Sequence, residues 1–323
     1  MKITIAGAGA MGCRFGGALF AAGHEVLLLD GWQEHVSAIN ADGLRIDDPR
    51  GSSVLRVPAK AFPAASSPAS PADLVIVFAK ATQTAAVAAA AAAAIGPDTL
   101  VLTLQNGLGN IEVLRSYVPD TRLLAGTTTL GTELLGPGHI RALGSGETAL
   151  GALGLGPSAY AERTALTLSA AGLPTRVAAD VLGVIWAKVA FNCVMNSLCA
   201  IASIPVSALA LCDGFDALAG SILDEVAAVA LAEGVVVDTA AALRLMKAQF
   251  DPAASGDHLA SMLQDLMNGR PTEIAHLNGA IASRALAHGI AAPVNALITQ
   301  LIGLLEATWP RRVNRLHADT PTD

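Results

Sequence analysis

The chain has 323 residues, 53% of them hydrophobic, with 27 acidic against 20 basic side chains and a net charge of −7. That length allows two domains with sizeable cores, and the acidic balance excludes the basic footprint of a nucleic-acid partner. The longest uninterrupted apolar run, Ala85–Ile95, is too short and too Ala-rich to span a bilayer, and Met1-Lys2 leads straight into a strand pattern with no signal peptide. Four cysteines (Cys13, Cys193, Cys199 and Cys212) lack metal-ligand spacing and sit in apolar surroundings. They are expected to be reduced core residues of a cytoplasmic protein with no metal site and no membrane partner.

Residues 2–6 (KITIA) read as a short apolar strand. Gly7, Ala8, Gly9, Ala10, Met11 and Gly12 follow and open a helical pattern that runs through Ala22. This is a G-x-G-x-x-G fingerprint with a strand before it and a helix after it. The first glycine permits the tight turn, the second lets the backbone approach a pyrophosphate, and the third allows close helix–strand packing. The helix N-terminus offers its N–H groups to phosphate oxygens. Gly23-His24 ends the helix, Glu25–Leu29 forms the next strand, and Asp30 stands where an acid would bond the adenosine ribose. The whole βαβ unit predicts dinucleotide binding.

Residues 44–57 predict two short strands around an Asp-Pro-Arg-Gly turn, and Lys60–Ala72 an irregular connection. Leu74–Phe78 and Leu100–Leu104 are continuous apolar strands of a central parallel sheet. The first ends at Lys80, ahead of a helix near Thr84–Ile95; the second ends in Gln105-Asn106-Gly107-Leu108-Gly109. Ligands of such sheets bind beyond the carboxyl ends of the strands, which makes Lys80 and Asn106 candidates for cofactor or substrate contact. Leu123–Thr129, the pieces near His139–Arg141 and Glu147–Leu153, and Pro174–Val177 are expected to complete that sheet, with a helix over Ser158–Ala171.

From about Ala179 strands disappear and long helical patterns run to Thr308. The predicted architecture is an α/β Rossmann domain over residues 1–178 and an all-α domain over 179–310, with a polar, frayed tail over 311–323. The stretch Trp186–Asn196 carries Lys188, Asn192 and Asn196 within about 80° of one another on an otherwise apolar helix. An ammonium there costs free energy unless it is paired or solvated. The stripe therefore reads as one wall of a polar site. Further candidates are Ser261, in SMLQD, and Glu273, which heads the helical pattern EIAHLNGAIASRALAHG and otherwise reads as a first-turn acid.

In order, Gly7–Gly12, Lys80 in FAKATQT, Asn106 in LQNGLG, Lys188, Asn192 and Asn196 in WAKVAFNCVMN, Ser261 in SMLQD, Glu273 in GRPTEI and Asn278-Gly279 form a specific set. With them the chain resembles the ketopantoate reductase (2-dehydropantoate 2-reductase) family over about residues 1–306. The resemblance implies a Rossmann domain, a helical domain, an active site in the cleft between them, NAD(P)H as cofactor and, as a family-based expectation, a homodimer. In that family the lysine matching Lys188 is the catalytic acid and the glutamate matching Glu273 binds and positions the substrate. The matches of Asn192, Asn196 and Ser261 contact the substrate too. A 2-oxo acid receiving hydride at its carbonyl carbon builds negative charge on oxygen, which an ammonium can stabilise and protonate.

Three departures from the family pattern bear on cofactor and substrate. Asp30-Gly31 stands where members commonly carry an arginine for the 2′-phosphate of NADP, so NADH is favoured, NADPH remaining possible from the resemblance. Ala275 replaces an acid in TEIA, and His258 stands where well-known members have an asparagine. The leading reading is reduction of 2-dehydropantoate or a similar branched 2-oxo acid. The alternatives are a D-2-hydroxy acid dehydrogenase of the same fold acting on a bulkier or aromatic 2-oxo acid, and a non-catalytic dinucleotide-binding regulator.

Overall fold

A computed structural model describes residues 1–62, 70–153, 158–251 and 258–311. In chain order the first part contains β1 (Lys2–Ala6), α1 (Ala10–Ala21), β2 (Glu25–Asp30), α2 (Gln33–Asp42), β3 (Leu44–Asp48), β4 (Gly51–Leu55), β5 (Ala59–Ala61) and β6 (Leu74–Val77). It continues with α3 (Thr84–Ala91), β7 (Leu100–Thr103), α4 (Asn110–Leu114), β8 (Leu123–Thr128), β9 (Gly131–Gly136), β10 (His139–Leu143), β11 (Thr148–Ala152), α5 (Ala159–Ala170) and β12 (Thr175–Val177). Eight strands form one sheet in the order β12-β11-β8-β7-β6-β1-β2-β5. All its pairings are parallel except β11 with β8.

Strand alternation explains why these segments are apolar at every position. Leu74, Ile76, Leu100 and Leu102 enter one core with Phe15 and Leu19 of α1 and Leu168 of α5. Their neighbours Val75, Val77 and Val101 enter a second core with Val87 and Ala88 of α3 and Leu114 of α4. A sheet covered on both faces needs apolar side chains at odd and even positions alike. The chain turns back across the sheet between β1 and β6, which is the switch point of a doubly wound fold.

The segment His139–Leu143 does not join this sheet, contrary to expectation. It belongs to a separate four-stranded sheet, β4-β3-β10-β9, where it runs parallel to β3 with Ile140 opposite Ile46. A close approach by α1 accounts for the second layer. A Cβ on Gly16 would strike Leu28 of the main sheet, and one on Gly17 would strike Ile46 of the small sheet. Within the Lys60–Ala72 connection, Lys60 and Ala61 belong to β5, while 63–69 lie outside the described residues.

The second part is helical: α6 (Val181–Ala202), α7 (Phe215–Ala232), α8 (Thr239–Ala248), α9 (Ser261–Met267), α10 (Asn278–Ala287) and α11 (Pro293–Thr308). An α/β part with a mostly parallel sheet is thus followed by an all-α part, as the patterns predicted. The compact units are Met1–Lys188 and Val189–Asp323, so their division falls inside α6, just after Lys188. The expected tail lies outside the described residues from 312 onward.

Some helix N-termini are satisfied by side chains. The Asp180 carboxylate accepts from Gly183 N–H at 2.8 Å, and Asp238 accepts from Ala241 N–H at 2.8 Å. Glu225 accepts from the Val294 and Asn295 N–H groups at the start of α11, each at 2.8 Å. Among the described residues, α6 alone is long and apolar enough to cross a membrane by length and composition. Two thirds of its apolar window is buried inside the protein, as in a core helix. Three cysteines are buried as expected, but Cys212 is exposed, because the 3-10 turn Val206–Leu211 that precedes it lies at the surface.

Glu273 also departs from expectation. It does not open a long α-helix; it precedes a 3-10 turn, Ile274–His276, and α10 begins only at Asn278. The Asn278 side chain is fully buried and donates to the Cys193 carbonyl of α6 at 3.0 Å and to Asn295 Oδ1 at 2.9 Å. Anchoring that amide inside the unit breaks the helix at Leu277, whose backbone is non-helical.

Candidate active site

Within the first unit the candidate residues gather at one edge of the main sheet. The Gly7–Gly12 loop follows β1, Asp30 ends β2, Lys80 follows β6, and Asn106 follows β7. These strands are parallel neighbours, so their carboxyl ends share an edge. Lys188 reaches the same edge, since its Nζ donates to the carbonyl of Thr128, the last residue of β8, at 2.7 Å. Along the edge the order is Lys188 at β8, Asn106 at β7, Lys80 at β6, the glycine loop at β1 and Asp30 at β2. Four inter-strand spacings separate the ends of that array, about 19 Å.

The glycine loop fits a dinucleotide. Gly7 has φ +96°, and a Cβ there would press on the Ala79 backbone. A Cβ on Gly12 would strike the Gly7 carbonyl oxygen. Gly9 is different, because its φ of −65° suits any residue and a Cβ there would meet nothing within 4 Å. Packing inside the chain gives no reason for glycine at that point. Room for an incoming phosphate does. The loop is fixed from beneath by Gly7 and Ala8 N–H groups, which donate to the Leu29 carbonyl at 2.9 and 3.0 Å.

Asp30 is half-buried, and its Oδ1 accepts from the Trp32 N–H at 2.9 Å. The arginines closest in sequence to a possible 2′-phosphate role are already engaged. Arg14 donates to the Gly131 and Leu143 carbonyls, Arg45 to Asp47 and Ser52, and Arg50 to Asp48. Burial pulls the Arg14 guanidinium pKa down, with Asp48 opposing that shift.

Gln105, which the sequence pattern leaves without a role, ties two of these loops together. Its side-chain amide donates to the Ala79 carbonyl at 2.7 Å and to Thr84 Oγ1 at 2.8 Å, while Thr84 bonds Asn110 Oδ1 at 2.7 Å. Asn110 in turn donates to the Asn106 carbonyl at 3.0 Å. This network locks the Lys80 loop to the Asn106 loop. A glutamine directly before the candidate asparagine was its signal. Thr128 carried none, because it acts through its backbone.

In the second unit, Asn192 and Asn196 lie one turn apart on α6, the first buried and the second half-buried. Asn196 Nδ2 donates to Ser261 Oγ, the first residue of α9, at 3.3 Å, so two predicted substrate residues from distant segments do meet. Glu273 is half-buried on a turn held by Thr272, whose N–H donates to Glu306 at 2.7 Å. The Asn278–Cys193 bond ties that turn's segment to α6 between Asn192 and Asn196. Burial pushes the Cys193 and Cys13 thiols far up, which removes both as nucleophiles; at Cys13 the nearby Asp30 adds to the shift. Among the described residues no cluster of His, Cys, Asp and Glu could hold a metal ion.

Two family models match the chain: ketopantoate reductase PanE/ApbA over residues 3–154 and its C-terminal domain over 180–306. The chain is 36% identical to the 2-dehydropantoate 2-reductase of Lactococcus lactis, covering 94% of this chain and 97% of that one. It is 35% identical to the enzyme of the same name from Halobacterium salinarum, covering 95% and 99%. Among solved structures, a D-mandelate dehydrogenase in ternary complex with NADH and anilino(oxo)acetate superimposes with a TM-score of 0.91 at 35% identity, over 96% of this chain and 100% of that one. A PanE/ApbA family ketopantoate reductase from Ralstonia eutropha gives 0.83 at 37% identity, over 96% and 100%.

Proposed function

The chain belongs to the ketopantoate reductase family of nicotinamide-dependent oxidoreductases, and from that premise we propose that it reduces 2-dehydropantoate or a similar branched 2-oxo acid to the 2-hydroxy acid. The observation that carries this reading is the ordered edge of the main sheet. An ammonium stands at β8 and the Asp30 carboxylate at β2, with the glycine loop between them. Bound reduced nicotinamide supplies the hydride. Lys188 stabilises the charge that develops on the substrate oxygen and donates the proton; the Thr128 carbonyl aims its Nζ. Asn192 and Asn196 bond the substrate without adding charge, Ser261 serves its carboxylate, and Glu273 positions it.

The preferred cofactor in this proposal is NADH. Asp30 keeps one oxygen on the Trp32 N–H and offers the other to a ribose hydroxyl. A 2′-phosphate would set about two negative charges beside that carboxylate, and the engaged Arg14, Arg45 and Arg50 do not offset them without giving up their bonds. The homodimer and the cytoplasmic location belong to the same proposal and rest on the resemblance.

A second reading, a D-2-hydroxy acid dehydrogenase for aromatic 2-oxo acids, is favoured by the 0.91 TM-score with the D-mandelate dehydrogenase complex. A panel of branched and aromatic 2-oxo acids, assayed with NADH and with NADPH, separates the two. Highest kcat/KM with 2-dehydropantoate supports the first reading, and highest kcat/KM with phenylglyoxylate supports the second. Tight cofactor binding with no turnover of any 2-oxo acid would sink both and leave a regulator.

A further inference from the structure

One buried titratable side chain has no part in the chemistry proposed above. His35, on α2, is 1% exposed, and both of its ring nitrogens are bonded. Nδ1 accepts from the Gly138 N–H at 3.0 Å, which leaves the ring proton on Nε2. Nε2 donates to the Ala8 carbonyl of the glycine loop at 2.9 Å, and the Cys13 thiol donates to the same carbonyl at 2.9 Å. The Trp32 indole stacks on the imidazole at 5.2 Å and 9°, while the Trp32 backbone N–H holds Asp30. Burial lowers the His35 pKa, with Asp30 and the Ala8 bond opposing, so the neutral ring is the form these contacts suit.

The consequence lies in the next peptide. A trans peptide is planar, with its C=O and N–H pointing in opposite directions. Two buried donors draw the Ala8 carbonyl inward. That turns the Gly9 N–H away from the imidazole, in a loop that opens at Gly9 on unfilled space. We propose that His35, as its Nε2–H tautomer, is a positioning residue for the dinucleotide: it sets the Ala8–Gly9 peptide so that the Gly9 N–H faces the pyrophosphate, and Gly138 in the β9–β10 turn holds His35 in register. This rests on the reading of Gly7–Gly12 as the dinucleotide loop.

Two substitutions separate this role from that of an ordinary satisfied core histidine. His35→Gln sets an amide N–H near the Nε2 position, keeping the donor to Ala8 and losing the acceptor for Gly138. His35→Asn sets an amide oxygen near Nδ1, keeping Gly138 and losing the donor to Ala8. Each variant gives up one neutral hydrogen bond, so both should lose similar thermal stability. Affinity should split. In NADH titrations of the full chain, His35→Asn is expected to bind about 5–10-fold more weakly and His35→Gln within about 2-fold of the unsubstituted chain. Equal affinity in the two variants, or an unaltered affinity in His35→Asn, overturns the proposal. If His35→Asn does not fold, Cys13→Ala removes the second donor to Ala8. It should weaken NADH about 3–5-fold, beyond the ~2-fold allowed to His35→Gln, and a change within ~2-fold overturns the proposal equally. An unsubstituted chain that binds neither NADH nor NADPH overturns the dinucleotide reading itself, and this proposal with it.

Discussion

Replacing Lys188 with methionine preserves most of the stem's volume and removes the ammonium. Its lost contacts include the 2.7 Å bond from Nζ to the Thr128 carbonyl, and Thr128 is 7% exposed. A hydrogen bond from a charged donor contributes roughly 1.5–3 kcal/mol, less here because Lys188 is half-buried and water can replace it. A cost of about 1 kcal/mol lowers Tm by about 2–4 °C in a unit of this size. Turnover should fall much further, by about 10²–10⁴-fold, equivalent to about 3–5 kcal/mol of barrier. Cofactor affinity should hold. The glycine loop at β1 is three strand spacings from β8, about 14 Å, beyond the screening length of about 8 Å at physiological salt. The assay is single-turnover oxidation of NADH with a saturating 2-oxo acid, alongside NADH titration and thermal unfolding. A variant that keeps half its kcat refutes the proton-donor role. Lys188→Arg refines the result: recovery of most turnover would mean that positive charge at that point matters and proton donation does not, since arginine stays protonated.

Asp30→Ala should lower kcat/KM with NADH and raise the NADPH to NADH ratio by about 10-fold or more; an unmoved ratio means that Asp30 does not read the ribose. Gly9→Ala should fold normally and bind NADH poorly, because its Cβ meets open space, whereas Gly12→Ala should lose stability because its Cβ strikes the Gly7 carbonyl. Thermal unfolding combined with NADH titration tests this pair, and equal Tm losses contradict it. His35 has its folded pKa below the unfolded value of about 6.5, so the unfolded chain binds more protons in the window below pH 6.5. Stability should be full above that pH and fall as pH drops through the window toward the lowered folded pKa. His24 is shifted in the same direction, so the His35 share is the part of the slope that His35→Gln abolishes. An unchanged slope in that variant rules His35 out.

What the sequence made legible depended on whether a local pattern carried the information. Leu74–Val77 and Leu100–Thr103 are apolar at every position but the last threonine, and both faces of their sheet are indeed covered. The Gly7–Gly12 loop was equally plain, because steric demands single out glycine. The small sheet was not, since its β3–β10 pairing joins segments far apart in the chain and β9 is half-exposed with no clean alternation. The break at Leu277 was hidden inside an unbroken helical pattern, and only the buried Asn278 amide explains it. Cys212 read like the other cysteines, because exposure at the end of a short surface turn leaves no local sign.

The pairing of β3 with β10 also bears on how the chain is made. While the ribosome is still extending the chain, the β3–β4 hairpin and the glycine loop exist well before β10 emerges. The bond from Gly138 to His35 spans 103 residues. At about 5–20 residues per second, that contact waits about 5–20 s after His35 is synthesised. During that time Arg45, Ile46 and Asp47 of the hairpin lack the strand that runs beside them in the finished protein. A nascent chain stalled between residues 60 and 138 would therefore present an open strand edge, the species most exposed to chaperone capture or aggregation.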